Sequence, residues 1–501
     1  MSAIKPLRLN PHHLQQLFQG RHRLWEPVIG LELHCQLHIF GKLFSPESRR
    51  TSPPFAPNRQ VTLVDAAFPG VLPRLNADGL AKAVQAVTAL GGQVQTVSRF
   101  DRKQYFYPDL PTGYQITQRG QPIGLGATAA QLLEPVRGIR IEQIQLEQDT
   151  AKSIHGAVEG ADLIDYNRAG VALIEIVLAP DIRSAREAVV VIRKLQELLR
   201  AAGISEARMD EGSLRCDVNV SEDRKGGIRV ELKNLNSLKL IYHAIQAEIT
   251  RHITILESDP ASAPAGQTEQ RLQQETRGFD PVRRSTFRLR SKEDAPDYRY
   301  MPDTDVPVVR LTPAYVAHTT AAIPELPDAR RRRLHTEYGL GLADCHGLMS
   351  QSGAVAFFEK VQQATQLPAT HIGLDQDMRI SFDTHPPVSV KQLASILTAI
   401  EQRLISGKIG KEILSLMLNG DTRDAFELIE AKGLRQVTDN QLIQTMCRSV
   451  VNNNPAELQK YRAGKQRIFG WFVGQIIKET KGKASPTLAK EILQKYLDQL
   501  K

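Results

Sequence analysis

Apolar and polar residues alternate strictly in four stretches of the chain. Between Ile29 and Leu37 the odd positions are apolar, and the even ones include Glu32, His34 and Gln36. From Leu214 to Val220 the polar positions hold Arg215, Asp217 and Asn219; from Ile228 to Lys233 they hold Arg229, Glu231 and Lys233. Ile144 to Asp149 repeats the pattern with Gln145, Glu147 and Asp149. A period of two predicts strands with one face on a core. If the four share a sheet, its open face gathers carboxylates, an imidazole, an amide and cations. A half-buried antiparallel sheet always needs a polar face, and solvated Glu, Lys and Arg commonly fill it. Asp and Asn are depleted from strands, however, so Asp149, Asp217 and Asn219 call for a further reason. Oxygen donors beside Arg and Lys suit magnesium and phosphate.

Elsewhere the period is helical. Asn76 to Leu90 and Arg183 to Leu199 have helical spacing, the second opening after Asp181 and Ser184 as caps. Residues 259–266 are rich in Pro, Ala and Gly and read as a surface loop. After Thr312 strand signals nearly vanish. Pro327-Asp328 opens a helix whose run Arg330 to Arg333 reads as a solvated face. From Val388 to Lys501 the pattern is helical, broken at Gly420, Gly433 and Pro455. The reading is α+β: an arm over 1–24, a cradle-like domain with a mainly antiparallel sheet over 25–310, an all-α domain over 311–387, and an all-α tail over 388–501. Gly124 to Ala129 faintly echoes a dinucleotide fingerprint, but no clean βαβ unit surrounds it, and it reads as a turn.

Charge sharpens the picture at one end. The chain of 501 residues carries a net +9, and residues 451–501 hold ten Lys/Arg against four Asp/Glu. Most of the surplus therefore sits in the last tenth, which points to a polyanionic partner there. Four scattered cysteines with no CxxC imply no disulfide framework and fit a reducing cytoplasm. No apolar run is long enough to span a membrane. The first 25 residues lack acidic groups and an apolar signal core, and read as a loosely attached arm. There is no GxxxxGK[ST] loop, no HExxH and no Gly-Gly-Ser-Ser amidase segment. Any nucleotide handled here is held by something other than a P-loop.

Ten segments, in order, resemble the family of B subunits of bacterial glutamyl/aspartyl-tRNA amidotransferases. They are Val28–Leu37, Phe100–Thr117, Asp165–Val177, Pro180–Ser184, Glu211–Ser221, Val230–Ser237, Gln274–Arg277, Asp297–Val306, Ile323–Arg331 and Tyr461–Lys478. The resemblance implies a subunit that phosphorylates the side-chain carboxylate of a mischarged tRNA with ATP, after which ammonia displaces phosphate. It implies three partners: an amidase (A) subunit that supplies ammonia through a channel, a small C subunit, and the mischarged tRNA. The missing amidase nucleophile agrees with that division of labour.

With that expectation the polar sheet face acquires a task. Glu32 and His34, two apart on a strand, point the same way and can share an ion. The family's magnesium site supports Glu32, His34 and Glu147; Asp149, Glu211, Asp217, Asn219 and Glu231 are further oxygen donors assigned to the centre. Lys152, Arg215 and Lys233 are candidates for phosphate or the substrate carboxylate. Glu231 with Lys233 also fits a plain surface pair, and His34 a structural histidine, since magnesium prefers oxygen. The aromatic run Tyr105 to Tyr107 and the pair Tyr298 and Tyr300 suit either base stacking or loop packing. In the tail, Gly470 and Gly474 share one side of a helix flanked by Lys465, Arg467, Lys478, Lys481 and Lys483, a set suited to tRNA phosphates. The other reading of those glycines is helix–helix packing.

The chain departs from the family at several points. Where zinc-bearing members place four cysteines, it has Ser45, Glu47, Thr62 and Asp65, so no structural zinc is expected. After Glu147 it carries Gln148, Thr150 and Ala151, losing a carboxylate that many relatives have. Ala172 replaces a frequent proline, and residues 375–383 match poorly. Two other functions compete: a tRNA-binding scaffold without chemistry, and a free-standing ligase, which lacks an encoded ammonia source.

Overall fold

The computed structural model describes residues 18–20, 24–45, 56–129, 138–222, 227–257, 272–291, 297–368, 388–435, 440–479 and 486–499. They group into two units, Met1–Asp328 and Ala329–Lys501. The alternating stretches all become strands of one nine-stranded sheet in the first unit. Its strands are β1 (Val28–Gln36), β2 (Gln93–Val94), β3 (Gly124–Ala129), β4 (Ile139–Gln148), β5 (Ala172–Leu178), β6 (Leu214–Ser221), β7 (Val230–Leu232), β8 (Glu275–Asp280) and β9 (Ser285–Ser291). Their spatial order is β9-β8-β7-β6-β1-β5-β4-β3-β2, and only the β7–β8 pair is parallel. The mainly antiparallel sheet expected from the alternation is borne out, as is the helical character of the chain beyond it.

One face of the sheet is core. Ile29, Leu31, Leu33 and Cys35 of β1 are fully buried, as are Ile174 and Ile176 of β5 and Val218 of β6. They join one apolar cluster with the helices α1 (Ala77–Ala89), α2 (Ala185–Ala201) and α3 (Leu238–Glu257). Each fully buried Leu or Ile there contributes about 1.5–3 kcal/mol. Helix α2 starts as its sequence predicts: the Ser184 side chain accepts from the Glu187 amide at 3.1 Å, and the Glu187 carboxylate accepts from the Arg183 amide at 2.6 Å. Two orphan amides are thereby satisfied. Helix α3 is tied to the sheet by a buried carboxylate. Glu248 accepts from Arg251 at 2.6 Å, His252 at 2.9 Å and Thr286 of β9 at 2.6 Å. Burial opposes its charge, but the bonds from His252 and Arg251 hold its pKa down at about 2.

Two details differ from the sequence reading. The segment Gly124–Ala129 is a strand, β3, paired with β4 and β2, and not a turn. Its glycine serves packing: a Cβ on Gly124 would lie 2.4 Å from Val87 of α1, so only glycine lets that helix close on the sheet. The polar face is also less open than expected. Beyond the end of β3, the edge of β4 is met by a second hairpin, Val97–Gln104 and Tyr114–Gln121. The Leu146 amide donates to Gln118 Oε1 at 3.1 Å, and Gln115 Nε2 donates to the Gln148 carbonyl at 2.7 Å. The hairpin satisfies the sheet edge and buries Gln145 and Glu147.

In the second unit, all regular elements among the described residues are helices. They gather into two apolar clusters, one between Leu334 and Leu434 and one between Ile443 and Leu497. Gly420 and Gly433 take positive φ at helix ends, and Pro455 opens its helix at the first turn.

Candidate active site

Register decides which polar side chains meet. On the face away from the helices, Glu32 of β1 lies opposite Asp217 of β6, and His34 lies opposite Arg215 on one side and Glu175 of β5 on the other. Glu175 in turn faces Gln145 of β4, and Asn219 of β6 faces Glu231 of β7. Like charges directly opposite repel, and each acid here has an answering donor. Asn219 Nδ2 donates to Glu32 at 3.0 Å. Lys233 Nζ pairs with Asp217 and, at 3.0 Å, with Glu231. Arg215 reaches Asp149 at 3.0 Å.

At the centre, His34, Glu147 and Glu175 bring potential ligand atoms within 4.8 Å of one another. His34 Nδ1 lies 2.8 Å from Glu147 Oε1, and Gln145 Nε2 donates to Glu175 at 2.5 Å. Burial opposes charge on His34, but the hydrogen bond and charge of Glu147 lift its pKa to about 9. Burial likewise opposes ionisation of Glu147, yet His34 holds its pKa below the usual carboxylate range. Glu175 is pushed up to about 7, by burial and then by the Glu147 charge. Two acids, Glu147 buried and Glu175 half-buried, thus compete for one imidazolium. A divalent cation would relieve that competition and return His34 to a neutral ligand, so the donor set fits magnesium with waters completing its shell.

Beside the cluster opens a polar cavity of about 390 Å³. The sheet lines it with His34, Glu147, Asp149, Arg215, Asp217, Lys233 and Arg290; the remaining wall includes Lys103, Tyr105, Asp109 and Tyr298. Tyr105 stacks on Tyr107 at 4.5 Å between ring centroids, and the Lys103 ammonium sits 4.7 Å from the Tyr298 ring. Phe106 is 83% exposed, so this run is not packed as a loop core.

The other assigned residues fall in different places. Glu32, Asn219 and Glu231 flank the cavity through the bonds above without lining it. Glu211 is half-exposed and pairs with Arg208 at 2.8 Å, away from the lining. Lys152 is exposed at the start of the Lys152–Val158 strand and is also outside the lining. The residues assigned from sequence omit Glu175 and Arg290, and omit Lys103 and Asp109 although both lie in the aromatic-bearing segment Phe100–Thr117 already singled out. Glu175 left a signal as the lone charge in the otherwise apolar strand Ala172–Leu178.

In the second unit, Lys465, Arg467 and Lys478 are exposed around the helix Arg467–Glu479. A Cβ on Gly470 or Gly474 would meet nothing within 4 Å among the described residues. Those glycines therefore border open surface rather than a packed neighbour. Lys481 and Lys483 lie outside the described residues.

Comparison with known proteins follows the same division of the chain. Residues 27–317 match the family described as "GatB/GatE catalytic domain", and residues 376–497 match "GatB domain". The B subunit of the aspartyl/glutamyl-tRNA(Asn/Gln) amidotransferase of Granulibacter bethesdensis is 42% identical, over 96% of this chain and 99% of that protein. The corresponding protein from Thioalkalivibrio sulfidiphilus is 41% identical over 94% and 99%, and that from Gluconobacter oxydans 43% over 95% and 98%.

Proposed function

The chain belongs to the family of aspartyl/glutamyl-tRNA amidotransferase B subunits, and from that premise we propose that its sheet cavity activates the carboxylate that is amidated. The chain is a component of a glutamine-hydrolysing ligase that forms carbon–nitrogen bonds on tRNA, together with an amidase (A) subunit and a C subunit. The activity is ATP-dependent. Among the described residues no helix is long and apolar enough to cross a membrane, and the cytoplasm is where we place the reaction with tRNA.

A carboxylate is a poor electrophile because its leaving group would be oxide. Transfer of the γ-phosphoryl of ATP to the side-chain oxygen makes the leaving group phosphate, and ammonia then attacks the acyl carbon. Phosphoryl transfer between two anions needs neutralised charge and in-line placement rather than a protein nucleophile. Arg215, Lys233 and Lys103 supply that charge to phosphate and to the substrate carboxylate. His34, Glu147 and Glu175 would hold magnesium, with Glu32 and Asn219 on the same sheet face beside them. When bound, magnesium offsets charge on the phosphate oxygens and orients them. Asp149 and Asp217 keep Arg215 and Lys233 aimed into the cavity. The observation that carries this reading is one acidic, histidine-bearing cluster set beside a cavity walled with cations. A scaffold without chemistry has no use for two acids competing over one histidine.

The test is the complex assembled with its A and C subunits and given Glu-tRNA(Gln) and Asp-tRNA(Asn) separately. Magnesium–ATP-dependent amidation of one or both is expected. A complex that binds tRNA but amidates neither would leave the scaffold reading in possession.

The exposed basic helix is assigned to tRNA phosphates. Truncation after about Pro455 should weaken tRNA binding and flatten its dependence on salt, by about 0.9 in log–log slope for each phosphate no longer neutralised. ATP hydrolysis should persist. An unchanged salt slope in filter binding would remove the tail from recognition.

A further inference from the structure

Four carboxylates line the cavity, and three of them are matched. Glu147 is bonded to His34, Asp149 to Arg215, and Asp217 to Lys233. The fourth, Asp109, has one oxygen buried with no hydrogen-bond partner, and no cation pairs with it among the described residues. An unpaired buried acceptor is costly, and folded proteins keep few of them without a reason. Nor is the side chain placed by a loose loop. The Asp109 carbonyl accepts from the Ala151 amide at 2.8 Å, Leu110 N donates to the Tyr107 carbonyl at 3.0 Å, and Gly113 N to the Leu110 carbonyl at 2.9 Å. The turn is tied on both sides, so the carboxylate is held in the cavity wall. Its neighbour Tyr105 is kept protonated, its pKa pushed up to about 12 by burial and then by the Asp109 charge.

The reactants contain the partner that the protein omits. ATP and the substrate's side-chain carboxylate are anions, and the cavity meets them with Arg215, Lys233, Lys103 and Arg290. The aminoacyl ester carries one cationic group, its α-amino group, which titrates near pH 8 in model compounds. Building on the catalytic reading above, we propose that Asp109 binds the α-ammonium of the aminoacyl group. That contact fixes one end of the amino acid, so that its side-chain carboxylate lies towards the cations and the γ-phosphoryl. Asp109 then selects tRNA bearing a free amino acid over tRNA bearing a blocked one. No proton moves and no bond is made in this role, so Asp109 is a binding and positioning residue.

The test pairs a variant with an altered substrate in the complete complex. Asp109→Asn should lower kcat/KM for Glu-tRNA by about 10- to 100-fold, the scale of a missing charge-assisted hydrogen bond. tRNA esterified with glutarate keeps the reacting carboxylate and lacks the α-amino group. Wild type should use it less well by a similar factor, and on it Asp109→Asn should match wild type. Unchanged magnesium–ATP affinity in the variant shows that the site is folded. Equal use of both esters by wild type overturns the inference. So does an equal loss on both esters in the variant, and if the KM for ATP also rises, Asp109 serves the nucleotide instead. If wild type amidates neither ester while binding tRNA, the catalytic reading fails and takes this inference with it.

Discussion

Glu147→Gln in the assembled complex should cut amide formation by about 10³-fold while tRNA binding holds. The substitution keeps shape and the bond from Thr117 Oγ1, which reaches Glu147 at 3.3 Å, but removes the charge that binds His34 and, in our reading, magnesium. Charge stabilisation by a metal ion in such transfers is worth several kcal/mol, which sets the scale of the loss. The neighbouring acid adds a pH dependence whose sign is fixed. Magnesium competes with protons for Glu175, whose pKa is about 7, and for His34, whose pKa is about 9. The ligating forms are deprotonated, so apparent magnesium affinity should rise as pH climbs from 6 to 9. Glu175→Gln should remove the lower part of that rise. Magnesium titrations of single-turnover ATP consumption at several pH values would check both. Near-wild-type turnover by Glu147→Gln would move the chemistry out of this cluster.

What the chain disclosed beforehand and what it withheld have one physical origin. Alternation reports which side of a strand is wet, so Glu32, His34, Glu147, Arg215 and Asp217 could be put on one face before any pairing was known. It does not report register, and register is what seats His34 between Arg215 and Glu175. Glu175 was passed over because its strand, near the centre of the sheet, carries apolar residues on both faces, so alternation is lost. That residues of the far wall share one cavity with the sheet face was not legible, for another reason. Lys103, Asp109 and Tyr298 come from segments distant in sequence, brought in by a hairpin whose own pattern says nothing of what it covers. Glu211 shows the converse. It stands three residues before an alternating strand, yet it turns outward to Arg208. In the second unit, periodicity found the helices but not their partners: residues 390–401 share a core with residues 354–365.

Lys42→Met is expected to destabilise the first unit by roughly 3–5 kcal/mol, the cost of breaking one side of a buried ion pair. Lys42 is 1% exposed, and its ammonium donates to Asp65 at 2.8 Å and to the Gln60 carbonyl at 2.7 Å. Asp65 also accepts from Ser45 Oγ at 3.1 Å and the Thr62 amide at 2.9 Å. Ser45, Thr62 and Asp65 stand where the resemblance puts cysteines in zinc-bearing relatives, so hydrogen bonds now join what thiolates would join through a metal. Residues 56–75 contain turns but no helix or strand, and this polar knot is the centre around which they are ordered. Asp65→Ala should cost a similar amount by removing the one carboxylate that accepts from Lys42, Ser45 and Thr62 together. The double variant should cost clearly less than the two singles combined, because the interaction between the two side chains is lost only once. Urea unfolding of the four proteins would measure that coupling, and singles costing under about 1 kcal/mol would mean that the knot is relaxed by water. The effect should reach the active site as well. Gly170, at φ +79°, lies so close to Asp65 that a Cβ there would come within 2.7 Å of the carboxylate, and its amide donates to the Asp149 carbonyl at 2.9 Å. Asp149 in turn holds Arg215. Lys42→Met should therefore lose amidation at temperatures below its own unfolding transition, with the loss in kcat rather than in tRNA affinity, because the disturbed group aims a cation at the reacting phosphate.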